Sequence, residues 1–263
     1  SVGGGSMGAG FLGAKYSPFV VNSDGRIRNL DMKVDQRFYQ RAYALDAIET
    51  GFINQRRGSA AKEHQAILKE AFGVLTSSQM DALKVAGEPE NVKERYGNNG
   101  FGKGCLMARR LVEAGVPFIE VNLGGWDNHQ NIHPMLRDTK LPMLDQGMSA
   151  LFEDLEQRGL IDDTVVIWMG EFSRTPRINQ NAGRDHWARS WSVVVGGGGM
   201  NGGIAVGETS SDGTRVETEP HTSQDVMASI CKALGISLGT TFTSNNGRPM
   251  KIANSGKIIK ELF

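Results

Sequence analysis

The sequence predicts an α/β domain in which helices cover a mostly parallel sheet. Three observations predict it. Beyond Gly104, helix-like and strand-like stretches alternate. The loops richest in acids and histidines follow strand-like runs, and in parallel sheets ligands bind at the carboxyl ends of the strands. At 263 residues, the chain can bury the core of one large domain or two small ones.

Taken in order, residues 1–30 read as an irregular arm with a turn at "NSDG". From Val34 to about Arg57, Phe38, Leu45, Ile48 and Phe52 recur at roughly helical intervals. "SAAKEHQAILKEAFGVL" predicts a second helix, with His64 on its polar side as a solvated histidine. "TSSQMDALKV" predicts a short third helix capped by Thr76 or Ser77. The polar stretch "AGEPENVKERYGNNGFGKG" reads as a loop or linker. Residues 1–103 are thus an N-terminal arm and helical segment, and residues 104–263 an α/β core, together reading as one incomplete domain.

Within the core, "CLMARRLVEAG" is a helix stopped by Gly115. "VPFIEVNL" follows as a strand and "GGWDNHQNIH" as a loop. "LPMLDQGMSALFEDLEQRG" is a helix with Pro142 near its first turn, Gly159 at its end, and an apolar stripe of Leu144, Met148, Leu151, Phe152 and Leu155. Asp145 falls in its first turns, where a negative charge suits the helix dipole. "DDTVVIWM" is a strand, "GEFSRTPRINQNAGRDHW" a loop and "SWSVVVGGGG" a strand. "TSQDVMASICKALG" is the last helix, with Thr222 and Asp225 at capping-box spacing and His221 as a loop residue before it. "GGGGMNGG" lacks the lysine and hydroxyl of a phosphate-binding loop and reads as a turn.

Lysine plus arginine equals aspartate plus glutamate, 29 against 29, so no general attraction to nucleic acid or anionic membrane is expected. No apolar run reaches the roughly 18 residues a membrane span needs. Cys105 and Cys231 read as two buried thiols rather than a disulfide.

The chemistry-bearing residues gather in two loops. Asp127, His129 and His133 lie in one; Glu171 and Arg174 begin the other, which ends at Asp185 and His186. Carboxylate and imidazole without thiolate suit zinc, manganese or iron. Three of the five histidines lie in or beside these loops, each with an acid close by. The alternative is a set of loop histidines satisfied by hydrogen bonds, with His133 opening the next helix. Glu171 can serve as ligand or base and Arg174 as a fork for an anionic oxygen, or the two can staple the loop as an ion pair. Trp126 and Trp187 read as pocket walls.

The stretches "GFLGAKYSPF", "VNLGGWDNH", "LPMLDQGMSALFEDLEQRGLIDDTVVIWMGEFSRTPRIN", "GRDHW", "VVVGGGGMNGG" and "DVMASICKALGI" resemble a bacterial family, domain of unknown function fifteen-oh-one, placed among the alkaline phosphatase and sulfatase-like proteins. The resemblance implies a three-layer sandwich, alkaline phosphatase-like, with metal at the strand ends. It also implies a metal-dependent hydrolase of small anionic phosphate or sulfate esters, with zinc as the first expectation. Mapped onto this chain, Asp127 and His129 form the first ligand element, Glu171 follows the second strand and His186 is the later histidine. Two departures stand out: Asp and His are two apart where the superfamily has four, and Gly170-Glu171 stands where Asp-His is usual. A non-catalytic binding or structural relative is therefore the alternative. The resemblance further implies export, and an N-terminal portion of the same polypeptide, so that the opening glycines read as an internal loop.

Overall fold

A computed structural model describes residues 1–2, 8, 16–22, 35–54, 60–75, 77–244 and 246–263. Most of the opening glycine-rich stretch and the "NSDG" turn lie outside the described residues. The chain divides into two compact units, Ser1–Gly124 with Met143–Leu151, and Gly125–Pro142 with Phe152–Phe263.

In the first unit, α1 (Gln36–Asn54) and α2 (Ala60–Leu75) form a hairpin in which Phe38 stacks on Phe72 at 4.7 Å between ring centroids. His64 is not simply solvated, because its Nδ1 meets the buried carboxylate of Glu49. Ser77 caps the 3₁₀ turn Ser78–Leu83 by accepting from the Gln79 amide. The expected linker is instead helical, with α3 (Glu90–Tyr96) and the start of α4 (Gly100–Glu113). Its polar composition hides two devices. Asn99 caps α4 by accepting from the Gly102 amide, and Gly102 lets the helix approach Tyr96, whose carbonyl oxygen would lie 2.1 Å from any Cβ there. Tyr96, Cys105, Leu106 and Met107 then fill the core of this unit with Val2, Val21 and Leu83. Burial drives the Cys105 thiol up to about 12, so it packs as a small hydrophobe.

The three-layer sandwich on a mostly parallel sheet is not formed by the described residues. Among the described residues, parallel pairing is confined to isolated bridges of Val2 with Val21 and with Val121, so the expected strand over 116–123 contributes one bridge. In the second unit, β1 (Val165–Trp168) pairs with β4 (Val194–Gly197), but antiparallel, with Ile167 opposite Val195. The reason lies in the connection. A parallel pair needs a crossover of a dozen or more residues, usually a helix. Between Trp168 and Val194 the chain carries a hairpin, β2 (Ser173–Arg174) with β3 (His186–Trp187), and no helix.

Two short helical pieces, α5 (Ile132–Met135) and the π turn Leu136–Lys140, lead into α6 (Leu141–Gln157). Pro142 sits in the first turn of α6 and Gly159 (φ +66°) follows its end, as the sequence predicts. The last helix, α7 (Ser223–Ala233), starts from a complete Thr222–Asp225 capping box. Bonds from the Lys257 amide, and then from Thr222, hold the Asp225 carboxyl down at about 2. A final hairpin, β5 (Thr241–Thr243) with β6 (Pro249–Lys251), continues past its strands in a bond from the Ser244 amide to the Arg248 carbonyl at 2.9 Å. Cys231 is buried in the second unit and, like Cys105, is a free thiol. No helix among the described residues is long and apolar enough to cross a membrane.

Candidate metal centre

The site is assembled by stitching two loops together through their backbones. The Arg184 amide donates to the Asn128 carbonyl (3.1 Å), the Asn131 amide to Asn181 (3.1 Å) and the Ile132 amide to Ala182 (2.9 Å). Gln130 and Ala182 form an antiparallel bridge. Gly183 makes this contact possible, since a Cβ on it would stand 2.0 Å from the His129 carbonyl carbon. Asn131 (φ +47°) and Ala182 (φ +57°) adopt left-handed backbone to complete the fit.

Asn179 locks the assembly from the side. Its Oδ1 accepts from the amides of Asn181 and Gly183, each at 2.9 Å. Its Nδ2 donates at 3.1 Å to the His129 carbonyl and to Asp185 Oδ1. The second loop is closed on itself by the Thr175 amide donating to the Asp185 carbonyl at 2.8 Å. Phe172 packs edge-on against the His186 ring, with 5.1 Å between centroids.

These contacts bring Asp127, His129 and His186 to one point, with a ligand atom from each lying within 4.8 Å of the others. Asp127 Oδ1 is 3.2 Å from His129 Nε2, 3.0 Å from His186 Nε2 and 2.9 Å from Arg174 Nη2. The other nitrogen of His129, Nδ1, meets Asp185 Oδ1 at 2.9 Å. A neutral His129 donating from Nδ1 to Asp185 turns its Nε2 lone pair toward the carboxylate of Asp127. Two lone pairs at that separation require positive charge between them, either a ring proton or a cation. A carboxylate behind a ligating imidazole is also the usual outer partner of a metal-binding histidine. The donor set thus fits a divalent ion.

The charges follow the same geometry. The His186 hydrogen bond, ahead of the charges of His129 and Arg174, holds the Asp127 carboxyl below its ordinary range. His129 and then Asn179 do the same for Asp185. The centre is open: the side chains of Asp127, His129 and His186 are 56%, 44% and 54% exposed, so an ion or ligand can reach them directly.

The remaining residues singled out by sequence sit around this point. Glu171 reaches Arg174 at 3.1 Å, so Arg174 bridges Asp127 and Glu171. Asp185 is one contact removed, behind His129. His133 lies in α5 and is not part of the three-residue group. Trp126 packs against Trp168 at 6.0 Å. The Trp187 indole nitrogen and Arg174 Nε are buried donors without a hydrogen-bond partner among the described residues.

Sequence reasoning missed Asn179, Ala182 and Gly183, which hold the two loops together. The cluster "NQNAG" was the available signal, because Asn and Gly favour turns and left-handed backbone.

The family described as "Protein of unknown function (DUF1501)" matches residues 1–263. The chain belongs to this family. No curated protein and no solved structure matches it.

Proposed function

We propose that the protein is a metal-dependent hydrolase of phosphate or sulfate esters, with Asp127, His129 and His186 holding the ion. The observation that carries this reading is the convergence of one carboxylate oxygen and two imidazole nitrogens, with Asp185 fixing one of the rings from behind. A divalent ion held there, zinc by the nitrogen-rich donor set, would supply Lewis acidity to polarise an ester oxygen and lower the pKa of water. Arg174 then positions Asp127 through Nη2 and supplies fixed positive charge beside the point where an anionic ester would bind. Glu171 accepts from the same Nη2 of Arg174 that meets Asp127, and so tethers that nitrogen between two carboxylates.

The test is steady-state hydrolysis of a panel of aryl phosphate and sulfate monoesters by the zinc-loaded protein, with bound metal counted by elemental analysis. Turnover that disappears in the His129→Ala, His186→Ala double variant is expected. Turnover equal in the double variant would sink the proposal. The open position of the centre, and an Arg174 already engaged by two carboxylates, favour a second reading as a non-catalytic cation-dependent binding module. Stoichiometric zinc without turnover of any ester would select it.

A further inference from the structure

A cleft of about 540 Å³ opens beside the centre, lined by Thr175, Arg177, Asn179, Gln180, Asn181 and Asp185, with Ile178 between them. Its residues divide into two sets. Thr175, Asn179 and Asp185 are committed: the Thr175 hydroxyl donates to the Arg177 carbonyl at 2.8 Å, Asn179 braces the loops, and Asp185 holds His129. The side chains of Arg177, Gln180 and Asn181 form no hydrogen bond or ion pair among the described residues, and all three residues are exposed.

That leaves one guanidinium and two primary amides facing the same space on a wall that is already braced. Primary amides both donate and accept, which matches hydroxyl groups. An unpaired guanidinium selects a carboxylate or similar planar oxyanion. Apart from Ile178 the wall is polar, which gives little to an apolar ligand, for which pockets are usually lined with hydrophobic and aromatic side chains. We propose that this cleft is a subsite for a hydroxyl-rich organic acid, with Arg177 on its carboxylate and Gln180 and Asn181 on its hydroxyls. Its role as the holder of the non-reacting part of a substrate rests on the cation reading above, and Asp185, shared by cleft and centre, places the two side by side.

The probe is D-glucuronate, titrated into isotopically labelled protein while backbone amide shifts are followed, with zinc binding measured separately by calorimetry. Acetate and glucose serve as controls that keep only the acid or only the hydroxyls. Saturable shifts at residues 177, 180 and 181 are expected, with binding about tenfold weaker in Arg177→Gln. Zinc affinity should be unchanged in that variant, which shows that it has kept its fold. Unsaturable shifts, equal binding by Arg177→Gln, or acetate binding as tightly as glucuronate would overturn the proposal, whatever zinc does. If zinc fails to bind while glucuronate still binds through Arg177, the subsite stands and the cation reading falls.

Discussion

Two clusters of charge in this molecule use the same chemical groups to opposite ends. In the first unit, Arg109 is 2% exposed in its side chain and is held by Glu88 at 2.8 Å and Glu113 at 2.7 Å, while Arg110 also engages Glu88. In the second unit, the carboxylate of Asp127 faces two half-exposed imidazoles and one guanidinium. The buried cluster pairs every carboxylate with a permanent cation. The exposed cluster aims groups with available lone pairs at a common point and depends on a proton or a metal to balance them. Burial with complete pairing fixes a core; exposure with incomplete pairing makes a site.

The largest effect that could break this contrast is on the buried side. Burial raises the Glu88 carboxyl, but the bonds from Arg109 and Arg110 more than offset it and leave it below its ordinary value. Because the folded value is depressed, the stabilisation is present above the unfolded carboxylate range, about 4.3. It is lost as pH falls through the folded value. Glu88→Gln should therefore cost about 3 kcal/mol at neutral pH, read from denaturant melts, since it leaves Arg109 with Glu113 alone and takes from Arg110 its carboxylate partner. The gap between variant and parent should close in acid. A gap that stays constant down to pH 2 would mean that the cluster is not the structural ion pair described.

The next effect concerns how the exposed cluster is held. Gly183→Ala places a methyl group against the His129 backbone and should destabilise the protein by about 1–3 kcal/mol, the usual range for overpacking. Zinc affinity, followed by calorimetry, should fall with it, because the same contact sets the spacing of His129 and His186. Unchanged zinc affinity would show that the stitching does not place the ligands.

The smallest effect on folding is expected from Asp185→Asn. Its side chain is 56% exposed, so the denaturation midpoint should not move. Zinc affinity should nevertheless drop about tenfold to a hundredfold, as for other carboxylates behind a ligating histidine. A shifted midpoint with unchanged affinity would reverse the assignment and place Asp185 with Glu88 as a structural acid.

Much of the local grammar was legible in the sequence. The Thr222–Asp225 cap, Pro142 and Gly159 at the ends of α6, Ser77 before its 3₁₀ turn and the buried thiols follow from the physics of one or two turns of chain. The helical nature of 90–104 was not, because its cap and its glycines have meaning only against Tyr96, which packs on them. The two loops that carry the centre could be named from their acids and histidines. The resemblance put Asp127, His129 and His186 among the ligands, but that His133, Glu171 and Asp185 stand outside the three-residue group was not legible, since Asn179 and Gly183 fix the backbone that decides it.

By itself, the sequence determined where α6 and α7 start and stop and which loops hold the ligating side chains, because capping, turn chemistry and residue type act over a few residues. Only the tertiary structure decided that β1 and β4 run antiparallel and that Asp127, His129 and His186 share one point. Strand direction and loop convergence depend on partners 26 to 59 positions away. No local pattern encodes such a pairing; the backbone hydrogen bonds formed on folding select it.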